Sequence, residues 1–207
     1  LFLCVAVVYA QDPAPGWMAY AQGTLPDGAE RITYLSAMWK VGSIAKKSFA
    51  VYSPWFGMDP ADNLNLMQPV NPWIGEKQQW QMYTEYVQWS PPHNSNSQRI
   101  NVAPGQTLHG QIMYNADNDS YNMTQTIMET GETSQQIVPV QDEKKYVIPY
   151  FVYENGLLNI TFPCEDYPSE EIVKFYNITV YCDEKDCTDT VKWQPVLYHQ
   201  HCDMTAH

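Results

Sequence analysis

The stretch Gln79–Trp89, QWQMYTEYVQW, decides the fold class of this chain. Its apolar residues alternate with polar ones, at Trp80 and Met82 and then, after a small irregularity, at Tyr86. Successive side chains of a β-strand point to opposite faces of a sheet, so a period of two predicts a strand with one face buried.

Similar short runs lie on both sides of this stretch. Fifteen prolines and ten glycines interrupt any long helical pattern, and the runs between them are rich in Val, Ile, Tyr, Trp and Thr, which favour strands. This pattern predicts an all-β sandwich, built as a single domain over Gln11–His207. The predicted strands are Arg31–Trp39, Ser48–Phe56, Gln79–Trp89, Arg99–Ala103, Thr107–Tyr114, Tyr121–Glu129, Thr133–Val140, Tyr146–Tyr153, Leu157–Phe162, Val173–Tyr181 and Val191–Tyr198.

The first ten residues, Leu1–Ala10, form an unbroken apolar run. A membrane-spanning helix needs roughly 20 such residues. Val8 and Ala10 are small residues at the −3 and −1 positions of a signal-peptidase site. We expect this run to be part of a secretory signal peptide and the protein to be extracellular; a buried N-terminal strand is the alternative.

The charge balance narrows the classes of partner. The chain has 23 acidic and 11 basic residues, which gives a net charge of −12. Neutralising phosphate groups requires clustered Lys and Arg, so this balance argues against nucleic acid and anionic membranes as partners. Charged residues make up only 16% of the chain and aromatic residues 14%, which indicates a folded domain rather than a disordered acidic tail.

Four cysteines remain beyond the apolar run, all in the last quarter of the chain. An even number in a secreted chain predicts disulfides, but the sequence leaves all three pairings open. We favour Cys182–Cys187 with Cys164–Cys202. A zinc site is the rival interpretation, and the C-terminal HQHCDMTAH, although rich in histidine, is more typical of a polar tail. No metal or other cofactor is expected.

Four Asn-x-Ser/Thr sequons add to the evidence for secretion. Such sequons accept N-linked glycans in proteins of the secretory route. We therefore expect a glycoprotein, modified at Asn118, Asn122, Asn159 and Asn177.

Several motifs, in order, resemble those of the glutamic peptidases, the eqolisins. This family has an A-W-x-G-I-D block, then L-Q-x-G-V, then Y-x-x-W-Y-E-W-x-P. The corresponding segments here are Ser53–Asp59, Asn65–Val70, Tyr83–Pro91, Ile100–Gln106, Phe151–Glu154 and Tyr176–Val180. The resemblance covers roughly residues 51–181 and implies a concanavalin-like or jelly-roll sandwich of two antiparallel sheets, one with a concave groove for an extended polypeptide.

The resemblance also implies particular site residues. In this family a Glu acts as general base on a water molecule, and a Gln on a neighbouring strand holds that water and stabilises the oxyanion. Gln68 lies at the position of the catalytic Gln. Asp59 matches the Asp of the substrate cleft, and Trp89 matches its aromatic wall.

The catalytic Glu does not carry over, because Tyr150 lies at its position. Glu154 matches a second Glu of the family, on the same face of the strand but about 13 Å further along at ~3.3 Å per residue. Gln88 replaces an acidic residue of the family. Glu85, in the middle of a predicted strand of the groove, is either a substitute acid or a solvated carboxylate.

The leading hypothesis is therefore an eqolisin-like protein that has lost its catalytic Glu and binds an extended polypeptide or glycan. Its predicted binding residues are Asp59, Glu85, Gln88, Trp89, Tyr150 and Glu154, beside Gln68. One alternative is an active acid endopeptidase that takes its acid from Glu85 or Glu154. Another is a structural glycoprotein of the extracellular matrix. A carboxylate within hydrogen-bonding reach of Gln68 would favour the enzyme.

Overall fold

The computed structural model describes residues 16–43, 49–156, 163–166, 172–197 and 206. These residues form strands, loops and three short 3-10 turns, at Gly75–Lys77, Cys164–Asp166 and Thr188–Thr190. The strands are β1 Trp17–Thr24, β2 Ile32–Lys40, β3 Val51–Pro60, β4 Asn65–Val70, β5 Trp73–Ile74, β6 Gln79–Trp89, β7 Pro92–Asn96, β8 Ile100–Val102, β9 Thr107–Asn115, β10 Ser120–Ile127, β11 Thr133–Pro139, β12 Tyr146–Asn155, β13 Tyr176–Cys182, β14 Lys185–Asp186 and β15 Lys192–Leu197. The described residues include no helix long and apolar enough to cross a membrane.

The strands form two antiparallel sheets, which confirms the predicted all-β sandwich. Sheet A has nine strands in the order β15-β1-β12-β3-β4-β6-β5, with β7 and β8 also paired to β6. Sheet B has six strands in the order β11-β10-β9-β2-β13-β14. The two sheets face each other across a core, and each has an outer face on the opposite side.

Large aromatic side chains fill the space between the sheets. Trp39 of sheet B meets Phe56 of sheet A edge to face, with ring centroids 5.9 Å apart. Phe56 also approaches the backbone of sheet B, where a Cβ added to Gly110 would lie 2.7 Å from its ring. Each such buried side chain contributes about 1.5–3 kcal/mol, and the glycine lets the sheets approach closely at this point.

Strand β6 matches its prediction at both ends. Trp80, Met82 and Tyr86 all face the core, and the irregularity is the polar Thr84, which continues the inward series and is fully buried. Every second residue from Trp80 to Tyr86 therefore points into the core, and the pattern looks irregular in the sequence only because Thr84 is polar.

Other predictions differ from the observed strands. Ser48–Phe56 was expected where β3 runs from Val51 to Pro60. Strand β1 was not predicted, because a bulge after Trp17 and burial on both faces remove its alternation. The edge strand β7 was not predicted either, because its sequence is almost entirely polar. The predicted strand Leu157–Phe162 lies outside the described residues.

Distant segments of the chain meet in both sheets. Strand β1 inserts between β12 and β15, and β2 inserts between β9 and β13. Near the C-terminal end the predicted Cys182–Cys187 disulfide is present and links β13 to the end of the β14 hairpin. Cys164 is also disulfide-bonded, and Cys202, its predicted partner, lies outside the described residues.

Candidate functional site

A polar row crosses four strands on the outer face of sheet A, the face expected to form the groove. Gln68 of β4 pairs with Glu85 of β6, and Gly57 of β3 pairs with Tyr150 of β12. The register of β3 with β4 places Gly57 opposite Gln68. The row therefore reads Glu85, Gln68, Gly57, Tyr150.

The first two members of the row are hydrogen-bonded. Gln68 Nε2 donates to Glu85 Oε2 at 2.8 Å. Strand pairing sets this contact, because directly opposed residues of an antiparallel pair project from the same face at short range. A carboxylate thus lies within reach of Gln68, but it comes from β6 and not from the strand where the family has its Glu.

Glycine at position 57 is required by the close approach of β4. A Cβ on this residue would lie 2.4 Å from the Met67 carbonyl oxygen and 3.1 Å from Gln68 Cβ. The resemblance implied that positions 68 and 150 lie on neighbouring strands. In the structure, β3 lies between β4, which carries Gln68, and β12, which carries Tyr150. Since Gly57 has no side chain, nothing projects from β3 between them.

Tyr150 belongs to an aromatic cluster rather than to an open cleft. Its ring lies edge to face with Trp17 and Tyr20, with centroids 5.0 Å and 6.3 Å away. Trp17 in turn contacts Trp55 at 5.0 Å. Only 1% of Tyr150 is exposed. The predicted binding role of this ring is therefore not supported by an accessible surface, because its neighbours cover it.

Glu85 is surrounded by amide groups from the adjacent edge strand. Asn94 Nδ2 donates to Glu85 Oε1 at 3.2 Å, and the Asn96 amide, in the orientation that satisfies its neighbours, donates to the same oxygen at 3.2 Å. Together with Gln68, three side-chain amides thus donate hydrogen bonds to the Glu85 carboxylate.

Tyr83 lies next to Glu85 on the same face of β6. The Arg99 guanidinium stacks 4.4 Å from its ring centroid, which is a favourable cation–π geometry. Burial raises the pKa of the Tyr83 hydroxyl well above its usual value, and the nearby Glu85 carboxylate raises it further. The Tyr83 side chain therefore remains neutral, with the Arg99 guanidinium and the Glu85 carboxylate as its charged neighbours.

A second carboxyl group faces this side of the sheet at the far end of β12. Trp55 Nε1 donates to Glu154 Oε2 at 2.8 Å. Burial raises the pKa of Glu154 to about 7; the Trp55 hydrogen bond opposes this shift, and the Glu85 charge adds to it. Glu154 therefore changes its charge near neutral pH.

The remaining predicted residues have different placements. Trp89 is half-buried and packs against the apolar residues of the outer face. Asp59 is only 1% exposed, so it does not line an open cleft as expected. Gln88 points to the other side of β6, where it accepts from the Tyr86 hydroxyl at 2.9 Å and donates to the Pro91 carbonyl oxygen at 2.7 Å. Strand alternation separates Gln88 from Glu85, so the expectation that it lines the groove was wrong.

Sequence reasoning missed four residues of this face. Asn94 and Asn96 hold Glu85, and their spacing of two in Pro92–Asn96 is the signal that could have identified them. Trp17 and Tyr20 cover Tyr150, and the bulge in β1 hides them from a search for alternation.

The described residues include no group of three or more His, Cys, Asp or Glu side chains placed to hold a metal ion. Of the four sequons, Asn118 lies in the exposed turn between β9 and β10, Asn122 lies on β10 and Asn177 on β13. Asn159 lies outside the described residues.

Comparison with solved structures identifies the same architecture in glutamic peptidases. A scytalido-glutamic peptidase bound to a peptide-based transition-state analogue is 15% identical, with 89% of this chain and 91% of the other aligned at a TM-score of 0.61. SCP-B, an eqolisin in complex with the tripeptide Ala-Ile-His, is 14% identical, with 89% and 90% aligned at a TM-score of 0.59. No protein-family model and no curated protein matches the sequence. At this level of identity the likeness establishes a shared fold.

Proposed function

We propose that this protein is a secreted glycoprotein that binds an extended polypeptide on the outer face of sheet A and does not hydrolyse it. The observation that carries the proposal is the polar row itself. Where the resemblance places the general base, this row has Tyr150, which is buried, whereas the contact of Gln68 with Glu85 is the feature that favours hydrolysis.

The chemistry of the outer face suits an extended chain. A polypeptide in extended conformation presents backbone donors and acceptors between side chains that alternate in direction. Partly exposed Glu85 offers polar atoms beside the buried Gln68, and half-buried Val87, Trp89 and Ile148 offer apolar surface on the same side. The two neighbours of similar fold were crystallised with a peptide-based analogue and with a tripeptide.

Neither Tyr150 nor Glu85 suits the role of general base in hydrolysis. A general base contributes about 10² to 10⁴ to the rate. The phenol of Tyr150 cannot take that role at acid or neutral pH, because its usual pKa is about 10. The Glu85 carboxylate is held by three amide donors, and it lies on β6 rather than on the strand where the resemblance places the general base.

One observation favours a second candidate, an acid endopeptidase. The 2.8 Å contact between Gln68 Nε2 and Glu85 Oε2 joins the two functional groups that glutamic peptidase chemistry needs. In that case Glu85 would take a proton from the attacking water and return it to the leaving amine, and Gln68 would stabilise the oxyanion.

One experiment separates the two candidates. The purified secreted protein is incubated with a reduced, alkylated polypeptide from about pH 2 to pH 7, and binding and cleavage are followed together. We expect saturable binding without new termini, weakened by Gln68→Ala and Glu85→Gln. Gln135→Ala, on β11 of the other sheet, and Glu132→Gln, in the turn before β11, change exposed residues and are the matched controls.

The other outcomes each overturn part of the proposal. Cleavage at acid pH that Glu85→Gln abolishes would establish the endopeptidase. Binding of oligosaccharides but not of the polypeptide would replace the ligand class. A folded protein that binds neither would remove the binding function and favour a structural role.

A further inference from the structure

An apolar row crosses the outer face of sheet B, remote from the polar row of sheet A. Asn122 of β10 pairs with Ile137 of β11 and with Met113 of β9. Met113 pairs with Tyr34 of β2, and Tyr34 with Tyr181 of β13. We call these five residues the outer row. One side chain from each of five adjacent strands thus forms a line, and only Asn122 is polar.

The apolar members of the outer row are unusually exposed. Ile137 is 65% exposed, Met113 46% and Tyr181 38%. Tyr34 and Tyr181 also contact each other, with ring centroids 5.5 Å apart. Contiguous exposed apolar surface on a soluble protein promotes association unless something covers it.

The polar member lies between the two most exposed apolar residues. Asn122 begins the sequon Asn122-Met123-Thr124, and its side chain points outward because Tyr121 and Met123 point into the core. Its Oδ1 is buried and has no hydrogen-bond partner among the described residues. Hydrogen bonding of this oxygen therefore does not explain a polar residue between Ile137 and Met113.

The other two described sequons have different surroundings. Asn118 lies in the exposed turn between β9 and β10, where its Oδ1 accepts from the Ser120 hydroxyl at 2.6 Å. Asn177 is exposed at the start of β13, in a left-handed conformation with φ of 49°. Neither lies between two strongly exposed apolar residues of adjacent strands.

We propose that Asn122 carries an N-linked glycan that covers the outer row. Asn122 Nδ2 forms a bond to C1 of the first sugar and loses one proton. The bond from C1 to the diphosphate of a lipid-linked oligosaccharide donor breaks, and the lipid diphosphate leaves. This inference rests on the proposed secretion, because the donor and its transferase belong to the secretory route.

A glycan at Asn122 would shield exposed apolar side chains from water because of where Asn122 lies on the sheet. The first sugars of a glycan at Asn122 lie over Ile137 and Met113, its direct cross-strand neighbours. Their ring C–H groups pack on the apolar side chains while their hydroxyl groups face water. A bulky, solubilising group is thus attached at the point where the sheet is most prone to associate.

The test uses the full chain secreted from a eukaryotic host. Glycopeptide mass spectrometry after enzymatic deglycosylation in heavy-oxygen water measures occupancy at each sequon. Thr124→Ala removes the Asn122 sequon and keeps the asparagine. Thr179→Ala does the same for Asn177 and is the matched control, and Asn122→Gln is a second variant that removes the first sequon.

We expect Asn122 to be occupied in most molecules. Thr124→Ala and Asn122→Gln should raise the binding of an apolar dye at least about two-fold and increase self-association, as exposed apolar surface requires. Thr179→Ala should do neither. Adding Met113→Thr and Ile137→Thr to Thr124→Ala should reverse both effects, because the surface to be covered is then gone.

Three outcomes would overturn the proposal, and they are distinguishable. If no sequon of the secreted chain is occupied, the proposal that this protein is a glycoprotein fails as well. If Asn118 or Asn177 is occupied and Asn122 is not, this inference alone fails. If Asn122 is occupied but Thr124→Ala changes neither dye binding nor association, the glycan does not cover the row.

Discussion

Trp55 Nε1 donates a 2.8 Å hydrogen bond to Glu154 Oε2 across β3 and β12, at the end of the outer-face aromatic cluster of sheet A. This contact holds a carboxyl group against an indole ring, where burial raises the pKa of Glu154 from 4.5 to about 7. Protonation of this group is therefore coupled to the stability of the fold.

The free energy of unfolding should depend on pH through the titration of Glu154. Because its folded pKa lies above its unfolded value, its contribution is fully present below about pH 4.5 and is lost as the pH rises to about 7. The slope in this window is at most about 1.4 kcal/mol per pH unit for one proton. Urea unfolding at several pH values, with Glu154→Gln beside the wild type, measures it. An unchanged slope in the variant would contradict the assignment.

Gln68 and Glu85 should be energetically coupled. Glu85→Ala leaves the buried Gln68 Nε2 without its acceptor, and Gln68→Ala removes the donor to Glu85 Oε2, so each substitution should cost about 1–3 kcal/mol. The double variant should cost less than the sum, by roughly 0.5–3 kcal/mol. Urea unfolding of all four proteins completes the cycle. Gln68→Ala combined with Glu132→Ala, in the turn before β11, should be additive; full additivity of the first pair would exclude the coupling.

Gly57 should not tolerate even a methyl group. An alanine Cβ would approach the Met67 carbonyl oxygen to 2.4 Å, and a backbone atom cannot move aside cheaply. We expect Gly57→Ala to cost at least about 3 kcal/mol, the upper range for overpacking. Gly28→Ala is the control, because no atom lies within 4 Å of that Cβ and only its φ of +82° opposes the change, at about 1 kcal/mol. Equal losses in thermal unfolding would refute the steric argument.

The Cys182–Cys187 disulfide should contribute modestly to stability. Its cysteines are only 5 residues apart, and the chain-entropy model assigns about 2 kcal/mol to so short a loop. Replacing both by alanine and measuring urea unfolding tests this value. Asp189→Ala, in the exposed turn that follows, leaves the disulfide intact and should stay within about 0.5 kcal/mol of the wild type. A disulfide-free variant as stable as that control would show that strand pairing alone holds β13.

The sequence predicted the fold better than the site, for identifiable reasons. Alternation was sufficient for β6, because Trp80, Met82 and Tyr86 face the core on one side of this strand while the polar Gln81 and Glu85 lie on the other. It failed for β1, because Trp17 and Met18 are buried on opposite faces. A period of two carries no information where both faces are apolar.

The contact between Gln68 and Glu85 could not be read from the sequence. The register of β4 with β6 depends on the path of the chain between them, through β5 and the turn at Gly75–Lys77. The face on which Gln88 lies, by contrast, could have been predicted from the sequence. It has the same parity as the inward-facing Met82 and Tyr86, so alternation assigns it to the face opposite Glu85, whereas motif similarity alone assigned it to the groove.

The pairing of β1 with β12 and of β2 with β13 has a consequence for synthesis of the chain. The N-terminal strands emerge on the order of a hundred residues before these partners, which at a translation rate of roughly 5–20 residues per second is a wait of roughly five to thirty seconds. During that interval Trp17 lacks its partner strand β12, and Leu35 can pair with β9 but not with β13. Apolar side chains of the first two strands therefore stay partly exposed on the nascent chain until these partner strands have been synthesised.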